Sequence, residues 1–413
     1  MTASSILDPG IVPFDVDAIR AEFPILATMS RGKPLVYLDS AASSQKPQAV
    51  IDAVADFYRH DNTNIHRGVY QLAERATMAW DAARERAARF LGGDANEVVF
   101  VRGTTEAINL VARSFVAPRL ARHPTVLVTE MEHHANIVPW QLVGARTIPV
   151  PISGAGELDL TAAERMLRDA PALFAITHVS NTLGTVNPVA ELCRMARAAG
   201  VPVLVDGAQA APHLAIDVAE LGCDFYCFSG HKVFGPTGIG VLWGRAEHLA
   251  AMPPYQGGGD MIDEVRFDRT TFAPPPRRFE AGTPNIAGAV GLAAALNWLE
   301  SHDRDAVRRH EATLRDYAME RLAAIPGLRV VGTAPGKAPV IAFAMDGVHP
   351  HDIASLLDGD GVCVRAGHHC TQPLHRRFGL AATARASFAL YNTRAEVEVL
   401  ARGLANVRRM FTP

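Results

Sequence analysis

The stretch "VPVLVDGAQAAPHLAIDVAELGCDFYCFSGHK", residues 201–232, decides the fold. Two apolar runs of strand length, "VPVLV" and "FYCFS", flank a segment of helix length. Asp206 follows the first run directly, and the second run leads into Ser229-Gly230-His231-Lys232. Apolar strands joined by helical connections are typical of a parallel sheet that is covered on both faces. Because such strands end at one edge of the sheet, we expect Asp206 and Lys232 to lie close together.

The same alternation of strand and helix patterns runs through residues 96–245. Strand patterns include "NEVVFVRG", "TVLVTEMEH", "ALFAITHVS" and "GIGVLWGR". Polar residues follow several of the strands, at positions 103–105, 132–134, 180–181, 206–209 and 229–232. Ligands of open α/β sheets bind beyond the carboxyl ends of the strands. The pattern therefore predicts an α/β fold with a ligand site at this edge.

The remainder of the chain has a different pattern. A long helical pattern over residues 288–324 leads to a part with its own strands, "PVIAFAM", "VCVRAG" and "TARASFAL". The stretch at 253–285 is too long for a plain connection, and such loops are usually functional or lie at an interface. We expect a second, smaller α+β unit after the long helical pattern.

Composition limits the class of protein. The chain has 413 residues, 48% of them hydrophobic, and a net charge of -3, which argues against nucleic acid or an acidic membrane as partner. No apolar run reaches the length of a membrane-spanning helix. The N-terminus lacks the basic-then-apolar pattern of a signal peptide. Five cysteines, an odd number, make a disulfide framework improbable. We expect a cytoplasmic enzyme with free thiols.

Lysines are rare, and one of them stands apart. Only four of the 40 basic residues are lysines, and Lys33, Lys46 and Lys337 lie in proline-containing turns where a solvated charge is usual. Lys232 instead follows a buried strand. A lysine there can form a Schiff base with a carbonyl cofactor, although a surface lysine after a strand fits this motif alone equally well.

The neighbouring motifs favour pyridoxal phosphate as that cofactor. A carboxylate such as Asp206 at the end of an apolar strand needs a partner, and the pyridinium nitrogen of pyridoxal phosphate needs such an anion. Thr104 and Thr105 open a predicted helix, which is either an anion site or an ordinary N-cap. His133 and His134 lack the spacing of a helical zinc pair, so a stacking role is favoured over metal.

These motifs together resemble those of the group II, SUF-type cysteine desulfurases, which belong to the fold-type I, class V aminotransferase superfamily. The resemblance covers residues 23–411. Matching motifs include "YLDSAASSQKP", "EMEHHANIVPWQ", "VDGAQA", "FSGHKVFGPTGIG", "RFEAGTPN", "RAGHHCTQPL" and "RASFALYNT". It implies a large domain (31–300) with a mostly parallel seven-stranded sheet covered by helices. It also implies a smaller α+β domain (301–413), against which an N-terminal segment (1–30) packs.

The resemblance also implies roles for individual residues around the cofactor. Lys232 would hold pyridoxal phosphate covalently, and Asp206 would pair with its ring nitrogen. Gln209 would bind the phenolate oxygen, and His133 would stack on the ring and take part in catalysis. The implied phosphate ligands are Thr104, Thr105, Ser229 and His231, with Thr283 supplied by the other protomer of a homodimer.

For the substrate, L-cysteine, the resemblance implies a carboxylate site and a sulfur acceptor. Asn181 and Arg385 would bind the carboxylate, since a guanidinium gives a bidentate clamp. The residues implied at the mouth of the site are His66, Arg67 and Arg365. Cys370, in "VCVRAGHHCTQPLHRR" (residues 362–377), would attack the substrate sulfur and keep it as a persulfide while alanine leaves. The cationic forms of Arg365, His368 and His369 could favour its thiolate.

Other readings of the loop and of the chain stay open. A metal site would use Cys363, His368, His369, Cys370 and His375, but the paired spacing of such sites is missing, and strand core is favoured for Cys363. A selenocysteine lyase or a class V aminotransferase would use the same lysine and aspartate. A non-catalytic scaffold for iron–sulfur assembly is a further alternative. The resemblance implies a sulfur acceptor protein of SufU or SufE type, with the SufU type weakly favoured, and iron–sulfur clusters as the destination.

Overall fold

The computed structural model describes residues 14–411 of the chain. The helices are α1 (Val16–Ala21), α2 (Gln48–Asp56), α3 (Gln71–Leu91), α4 (Thr104–Val111), α5 (Val138–Leu142), α6 (Leu160–Leu167), α7 (Val189–Ala198), α8 (Val218–Leu221), α9 (Ala246–Ala251), α10 (Ile286–Glu300), α11 (Arg304–Ala323), α12 (Pro350–Gly359), α13 (Gln372–Arg377) and α14 (Arg394–Phe411). The strands are β1 (Met29–Ser30), β2 (Lys33–Pro34), β3 (Val36–Tyr37), β4 (Val98–Val101), β5 (Thr125–Thr129), β6 (Arg146–Val150), β7 (Leu173–Thr177), β8 (Val203–Asp206), β9 (Phe225–Ser229), β10 (Gly240–Gly244), β11 (Ile262–Val265), β12 (Thr270–Phe272), β13 (Leu328–Val331), β14 (Val340–Met345), β15 (Val362–Cys363), β16 (Arg365–Gly367) and β17 (Thr383–Ser387).

The large sheet has seven strands in the order β4-β10-β9-β8-β7-β5-β6. Only β10 runs antiparallel to its neighbours. Alternate residues of its central strands enter two apolar cores: Val203 and Val205 face one core, and Leu204 faces the other. This burial on both faces explains why the strands read as continuous apolar runs. The predicted α/β fold with seven mostly parallel strands is confirmed.

A second sheet lies in the C-terminal part of the chain. Its order is β13-β14-β17-β16, all antiparallel, and α11, α12 and α14 contribute to the core on it. Strand β3 pairs with β15 in parallel, and Asp39 forms a bridge with Ser387. The early chain is thereby joined to the C-terminal unit.

The predicted domain boundaries stay a prediction. Of the predicted N-terminal segment (1–30), the first thirteen residues lie outside the described residues. In the described part, Arg20 forms an ion pair with Glu396 at 3.0 Å, and the ring of Phe23 packs edge-on against Tyr391 and Trp298. These contacts reach α10 as well as the C-terminal unit.

Two stretches differ in detail from their sequence patterns. The long helical pattern is split into α10 and α11, because the Asp303 side chain caps α11 by accepting from the N–H groups of Asp305 and Ala306. The long loop contains the antiparallel hairpin β11-β12, on which Val265 and Phe267 are exposed. No helix within residues 14–411 meets the length and hydropathy needed to cross a membrane.

The lysine expectation is wrong at two positions. Lys33 is exposed, but Lys337 is buried and its Nζ donates to the Gly332 carbonyl at 2.8 Å. Lys46 is partly buried, and its Nζ donates to the carbonyl oxygens of Ser44 and His231. In both turns a nearby carbonyl replaces the water that a turn lysine normally binds. The five cysteines are free thiols, and only Cys370 is exposed.

Candidate active site

The polar strand ends meet in one pocket of about 290 Å³ at the carboxyl edge of the large sheet. Residues from the ends of β4, β5, β7, β8 and β9 line it, together with residues from the C-terminal unit. The predicted site residues that line the pocket are Thr104, Thr105, His133, Asn181, Asp206, Gln209, Ser229, His231, Lys232, Arg365, Cys370 and Arg385. The pocket volume is near the lower end for small-molecule sites.

The charges of Asp206 and Lys232 attract each other inside this pocket. Asp206 is the last residue of β8 and is 4% exposed, and its Oδ1 accepts from the Ala208 N–H at 3.0 Å. Burial raises the pKa of Asp206, while the Ala208 N–H and the Lys232 charge oppose this shift. Burial also lowers the pKa of Lys232 to about 8, with Asp206 opposing it. The amine is therefore available as a nucleophile or base near neutral pH.

His133 presents a neutral imidazole to the same pocket. Burial lowers its pKa to about 3, and the charge of Lys232 adds to the effect. Its Nδ1 accepts from the Ala135 N–H at 3.0 Å, so the ring proton of the neutral form is on Nε2. A neutral ring fixed in this way can stack on an aromatic ligand.

The start of α4 lines the pocket through Thr104 and Thr105. The Thr104 N–H donates to Ser229 Oγ at 2.9 Å, and Thr105 is exposed beside it. Gly103 has φ 156° and ψ 179°, a combination that is almost restricted to glycine. A Cβ atom there would lie 3.1 Å from Ser229 Oγ. The absence of a side chain leaves the first turn of the helix open to a ligand, and helix N-termini commonly bind phosphate groups.

A short segment of the early chain holds the turn that carries Lys232. The His231 carbonyl accepts from the Ser44 N–H at 3.0 Å, from both serine hydroxyls of residues 43 and 44, and from Lys46 Nζ at 3.0 Å. Ser44 Oγ also accepts from the Phe234 N–H at 2.9 Å. Four donors on one carbonyl fix this turn more firmly than the local sequence indicates.

Two of the three predicted site arginines, Arg365 and Arg385, bind one carboxylate, that of Asp39. Arg385 is 2% exposed, and its Nη2 lies 3.1 Å from Asp39 Oδ1, while its Nη1 donates to the Asn181 carbonyl at 2.9 Å. Arg365 is exposed and approaches Asp39 Oδ2 with Nη2 at 2.8 Å. The Asn181 amide nitrogen donates to the His369 carbonyl at 2.7 Å, so it holds the cysteine loop in this structure.

The loop of Cys370 is tied to the large sheet by its backbone. The Cys370 carbonyl accepts from the His134 N–H at 2.7 Å, and the Gln372 N–H donates to His134 Nε2 at 3.0 Å. His369 and Cys370 have φ values of 47° and 57°, in the left-handed region that non-glycine residues rarely occupy. Burial lowers the pKa of His369 to about 2. The expectation that His369 supplies positive charge to the thiol is therefore wrong.

Three predicted residues do not line the pocket. Thr283 is exposed and lines a neighbouring cavity with Glu106 and Tyr255. His66 and Arg67 are also exposed, and Arg67 lies 3.6 Å from the Asp260 carboxylate. Within residues 14–411, no cluster of three or more His, Cys, Asp and Glu side chains is arranged to hold a metal ion.

Comparison with known proteins shows the family. The aminotransferase class-V model matches residues 36–400. A probable cysteine desulfurase from Xylella fastidiosa is 50% identical over 400 residues, which are 96% of each chain. The Dickeya dadantii cysteine desulfurase is 49% identical over 96% of this chain and 98% of its own. The Escherichia coli cysteine desulfurase CsdA superposes with a TM-score of 0.89 at 40% identity, covering 97% of this chain and 100% of its own. The chain belongs to the cysteine desulfurase family of class-V aminotransferases.

Members of the cysteine desulfurase family depend on pyridoxal phosphate, and the residues of this pocket fit that group. Asp206 is a buried carboxylate that a protonated ring nitrogen would pair with. Lys232 is an amine whose pKa burial lowers to about 8, so that a fraction of it is neutral near neutral pH. Gly103 leaves the space at the start of α4 that a phosphate would occupy, and His133 offers a neutral ring. The phosphate, the aromatic ring and the carbonyl carbon of pyridoxal phosphate would therefore each have a matching group here: the start of α4, His133 and Lys232.

Several residues of this desulfurase-family site were missed by reasoning from sequence. Asp39 and Lys46 lie within the motif "YLDSAASSQKP", and Asp39 comes shortly after strand β3, much as Asp206 stands at the end of β8. That position was the signal that could have identified Asp39. Thr383 and His375, which contact His369, carry no comparable sequence signal because their role depends on packing in the C-terminal unit.

Proposed function

We propose that this chain is a pyridoxal-phosphate-dependent cysteine desulfurase that converts L-cysteine to L-alanine and holds the sulfur on Cys370. One observation carries the proposal: Lys232, Asp206 and the exposed Cys370 line the same pocket, although they come from two sheets. An aminotransferase would use the first two residues but has no use for a thiol at the mouth. The names of the relatives support the same activity.

The cofactor would be held at both ends by residues that line the pocket. Lys232 would bind it covalently and Asp206 would pair with its ring nitrogen, with Gln209 beside the ring oxygen. The proposed phosphate ligands are Thr104, Thr105, Ser229 and His231. When bound, pyridoxal phosphate supplies an electron sink that makes the substrate Cα–H acidic and the C–S bond weak.

The chain's own groups then bind the amino acid and move its protons. Arg385 would bind the substrate carboxylate, because it is a buried guanidinium whose Nε has no hydrogen-bond partner among the described residues. Asn181 would assist it from the same side. Lys232, released as a free amine, would remove the Cα proton and later return one, since its lowered pKa leaves it partly neutral at pH 7–8. His133 would keep the reacting group planar against its ring.

Sulfur transfer is the part that Cys370 performs. Its thiolate attacks the substrate sulfur, an S–S bond forms, and the C–S bond of cysteine breaks. The electron pair left on the substrate carbon takes a proton, so L-cysteine and one thiol give L-alanine and one persulfide. No external oxidant or reductant is needed, because the substrate carbon keeps the electron pair of the broken C–S bond and is reduced as the sulfur is oxidised to the persulfide level.

The test is the replacement of Cys370 by serine, with Cys363→Ser as the matched control. Cys363 is a partly buried thiol on the neighbouring strand β15. Cys370→Ser should keep the visible absorbance of the bound cofactor but show no mass gain of one sulfur atom after incubation with cysteine. Full-rate alanine formation by Cys370→Ser would refute the proposed role, and Cys363→Ser should behave as the wild type. Parallel assays with selenocysteine would detect the lyase activity as an alternative.

We further propose a SUF-type, cytoplasmic enzyme that acts as a homodimer and passes its sulfur to an acceptor of SufU or SufE type for iron–sulfur clusters. Support for the dimer comes from Thr283, His66 and Arg67, which are exposed outside the pocket of their own chain. Each could complete a partner's site. Sedimentation should give a dimer. Mixing Thr283→Ala chains with Cys370→Ser chains should restore desulfurase activity, because one site of the mixed dimer then has both an intact Cys370 and an intact Thr283 from the partner chain. Adding the acceptor protein that is the true partner, of SufU or SufE type, should raise the turnover of cysteine.

A further inference from the structure

The carboxylate of Asp39 lies between two arginines of the candidate pocket. Arg365 binds it bidentately: its Nε lies 3.2 Å from Oδ1 and its Nη2 lies 2.8 Å from Oδ2. Arg385 adds a single contact, from Nη2 to Oδ1 at 3.1 Å. Both arginines are among the described residues that line the pocket, whereas Asp39 is not. Asp39 therefore binds the two guanidinium groups from outside the pocket lining.

The edge of Arg385 that a substrate carboxylate would use is half occupied by Asp39. The Nε and Nη2 atoms of a guanidinium form one edge that can bind a carboxylate bidentately. In Arg385, Nη2 contacts Asp39, while Nε is buried and has no hydrogen-bond partner among the described residues. Nη1 donates separately to the Asn181 carbonyl at 2.9 Å. A carboxylate that binds the whole edge therefore meets Asp39 at Nη2.

The two contacts of Asp39 differ in strength, so one can open while the other holds. The contact with Arg365 is bidentate and uses both carboxylate oxygens, and such pairs are the stronger ones. Arg365 is exposed, whereas Arg385 is 2% exposed and is fixed by Asn181. Asp39 can therefore leave Arg385 and still keep a charged partner.

The charge of Arg385 requires an anion in the absence of substrate. Burial lowers the pKa of Arg385, and the charge of Asp39 opposes this shift. A buried charge without a partner is costly, so Asp39 stabilises the guanidinium. A substrate carboxylate supplies the same charge at the same nitrogen atom. With both anions at Nη2 the two would repel each other, so they are alternatives.

We propose that Asp39 is a built-in counter-anion of Arg385, which the substrate carboxylate displaces from Nη2 and which returns when alanine leaves. This inference rests on the proposed function, because that function places the substrate carboxylate at Arg385. Asp39 stays bound to Arg365 throughout, so it acts through the arginines and is a positioning residue. Its effect is to weaken the binding of cysteine and of alanine alike, which keeps the product from being held too tightly.

Loss of the Asp39 charge should therefore tighten amino acid binding. In Asp39→Asn the guanidinium of Arg385 has no anionic partner until the amino acid arrives. The dissociation constant of L-alanine should fall about tenfold or more. A residue that only held Arg385 in place would act in the opposite direction, because its loss would misplace the guanidinium and weaken binding.

The experiment titrates the cofactor-loaded enzyme with L-alanine and follows the visible absorbance of the cofactor. L-Alaninamide, which lacks the carboxylate, should bind no more tightly to Asp39→Asn than to the wild type. Asp39→Glu restores the charge and should restore the wild-type affinity for alanine. Asp358→Asn is the matched control, because Asp358 pairs with Arg31 at 2.9 Å and lies on α12, outside the pocket lining. This control should bind alanine as the wild type does.

A crystal structure of the wild-type enzyme with L-alanine covers the case that Asp39→Asn folds poorly. Asp39 Oδ1 should then lie beyond hydrogen-bond distance of Arg385 Nη2, while the contacts with Arg365 remain. An unchanged or higher dissociation constant of alanine in Asp39→Asn would overturn the proposal, as would an Asp39–Arg385 contact that persists beside the bound carboxylate. Persulfide formation on Cys370 of the wild type with L-cysteine is measured separately. Its presence would show that the proposed function survives such a result, and its absence would refute that function itself.

Discussion

Replacing Gly103 by alanine should weaken the binding of pyridoxal phosphate without a matching loss of global stability. Gly103 has φ 156° and ψ 179°, where a non-glycine residue costs about 1–3 kcal/mol. The new Cβ would also lie 3.1 Å from Ser229 Oγ, the acceptor of the Thr104 N–H. Relief of this strain must turn the first residues of α4 away from the phosphate. If the whole strain energy is lost from binding, the affinity falls about 5- to 150-fold.

The assay is a titration of cofactor-free protein with pyridoxal phosphate, followed by visible absorbance. Gly200→Ala provides the matched control. Gly200 also has a positive φ of 69°, has open space where a Cβ atom would lie, and is placed between α7 and β8 away from the pocket. Gly200→Ala should lose thermal stability, because its positive φ disfavours alanine, but it should bind the cofactor as the wild type does. Equal cofactor affinity for Gly103→Ala and wild type, or an equal loss in both variants, would refute the reasoning.

Three further predictions concern buried charges. Burial lowers the pKa of Lys337 to about 8 from 10.5, so between these pH values the unfolded chain binds more protons than the folded one. The stability of the cofactor-free protein therefore rises with pH in this range, by about 3 kcal/mol for this group. Lys337→Met should lack this rise in urea titrations at pH 7 and pH 10, and an identical pH dependence in variant and wild type would contradict the assignment. Asp39→Asn should destabilise the protein by about 2 kcal/mol, because the buried Arg385 loses its charged partner. The ion pair of Asp39 with the exposed Arg365 contributes little. An unchanged urea midpoint would argue against this role of Asp39. Arg385→Lys should raise the KM for cysteine about tenfold or more with a smaller effect on kcat, since an ammonium cannot form the bidentate clamp, and an unchanged KM in steady-state assays would exclude the carboxylate role.

The sequence was sufficient to predict the large sheet and the edge at which the site lies. Buried parallel strands are apolar along their whole length, so the first polar residue after each strand stands out. Asp206 and Lys232 were found in this way, and the structure places both in one pocket. The family resemblance added Cys370 and Arg385, which belong to the C-terminal unit and are not connected to that edge by any local pattern.

The supporting contacts could not be predicted because they join distant parts of the chain. Lys46 and the His231 carbonyl are 185 positions apart, and Asp39 and Arg385 are 346 apart. A lysine between a glutamine and a proline has the local pattern of a solvated turn, and only the tertiary fold replaces its water by carbonyl oxygens. The neutral state of His369 has the same origin, since burial decides it and the histidine-rich sequence of the loop indicates the opposite.

The segment of residues 39–46 connects the parts of the site that must act together. Asp39 binds the two arginines, the Ala41 carbonyl accepts from the Gln209 side chain at 2.7 Å, and Lys46 contacts the turn of Lys232. The Ala41 N–H also donates to Ser387 Oγ at 2.9 Å, in the sheet that carries Arg385. A shift of this segment would therefore alter the lysine turn and the carboxylate clamp at once. Because this segment contacts both sheets, it contributes to the relative position of Lys232 and Arg385, together with direct contacts such as the hydrogen bond from Arg385 Nη1 to the Asn181 carbonyl at 2.9 Å.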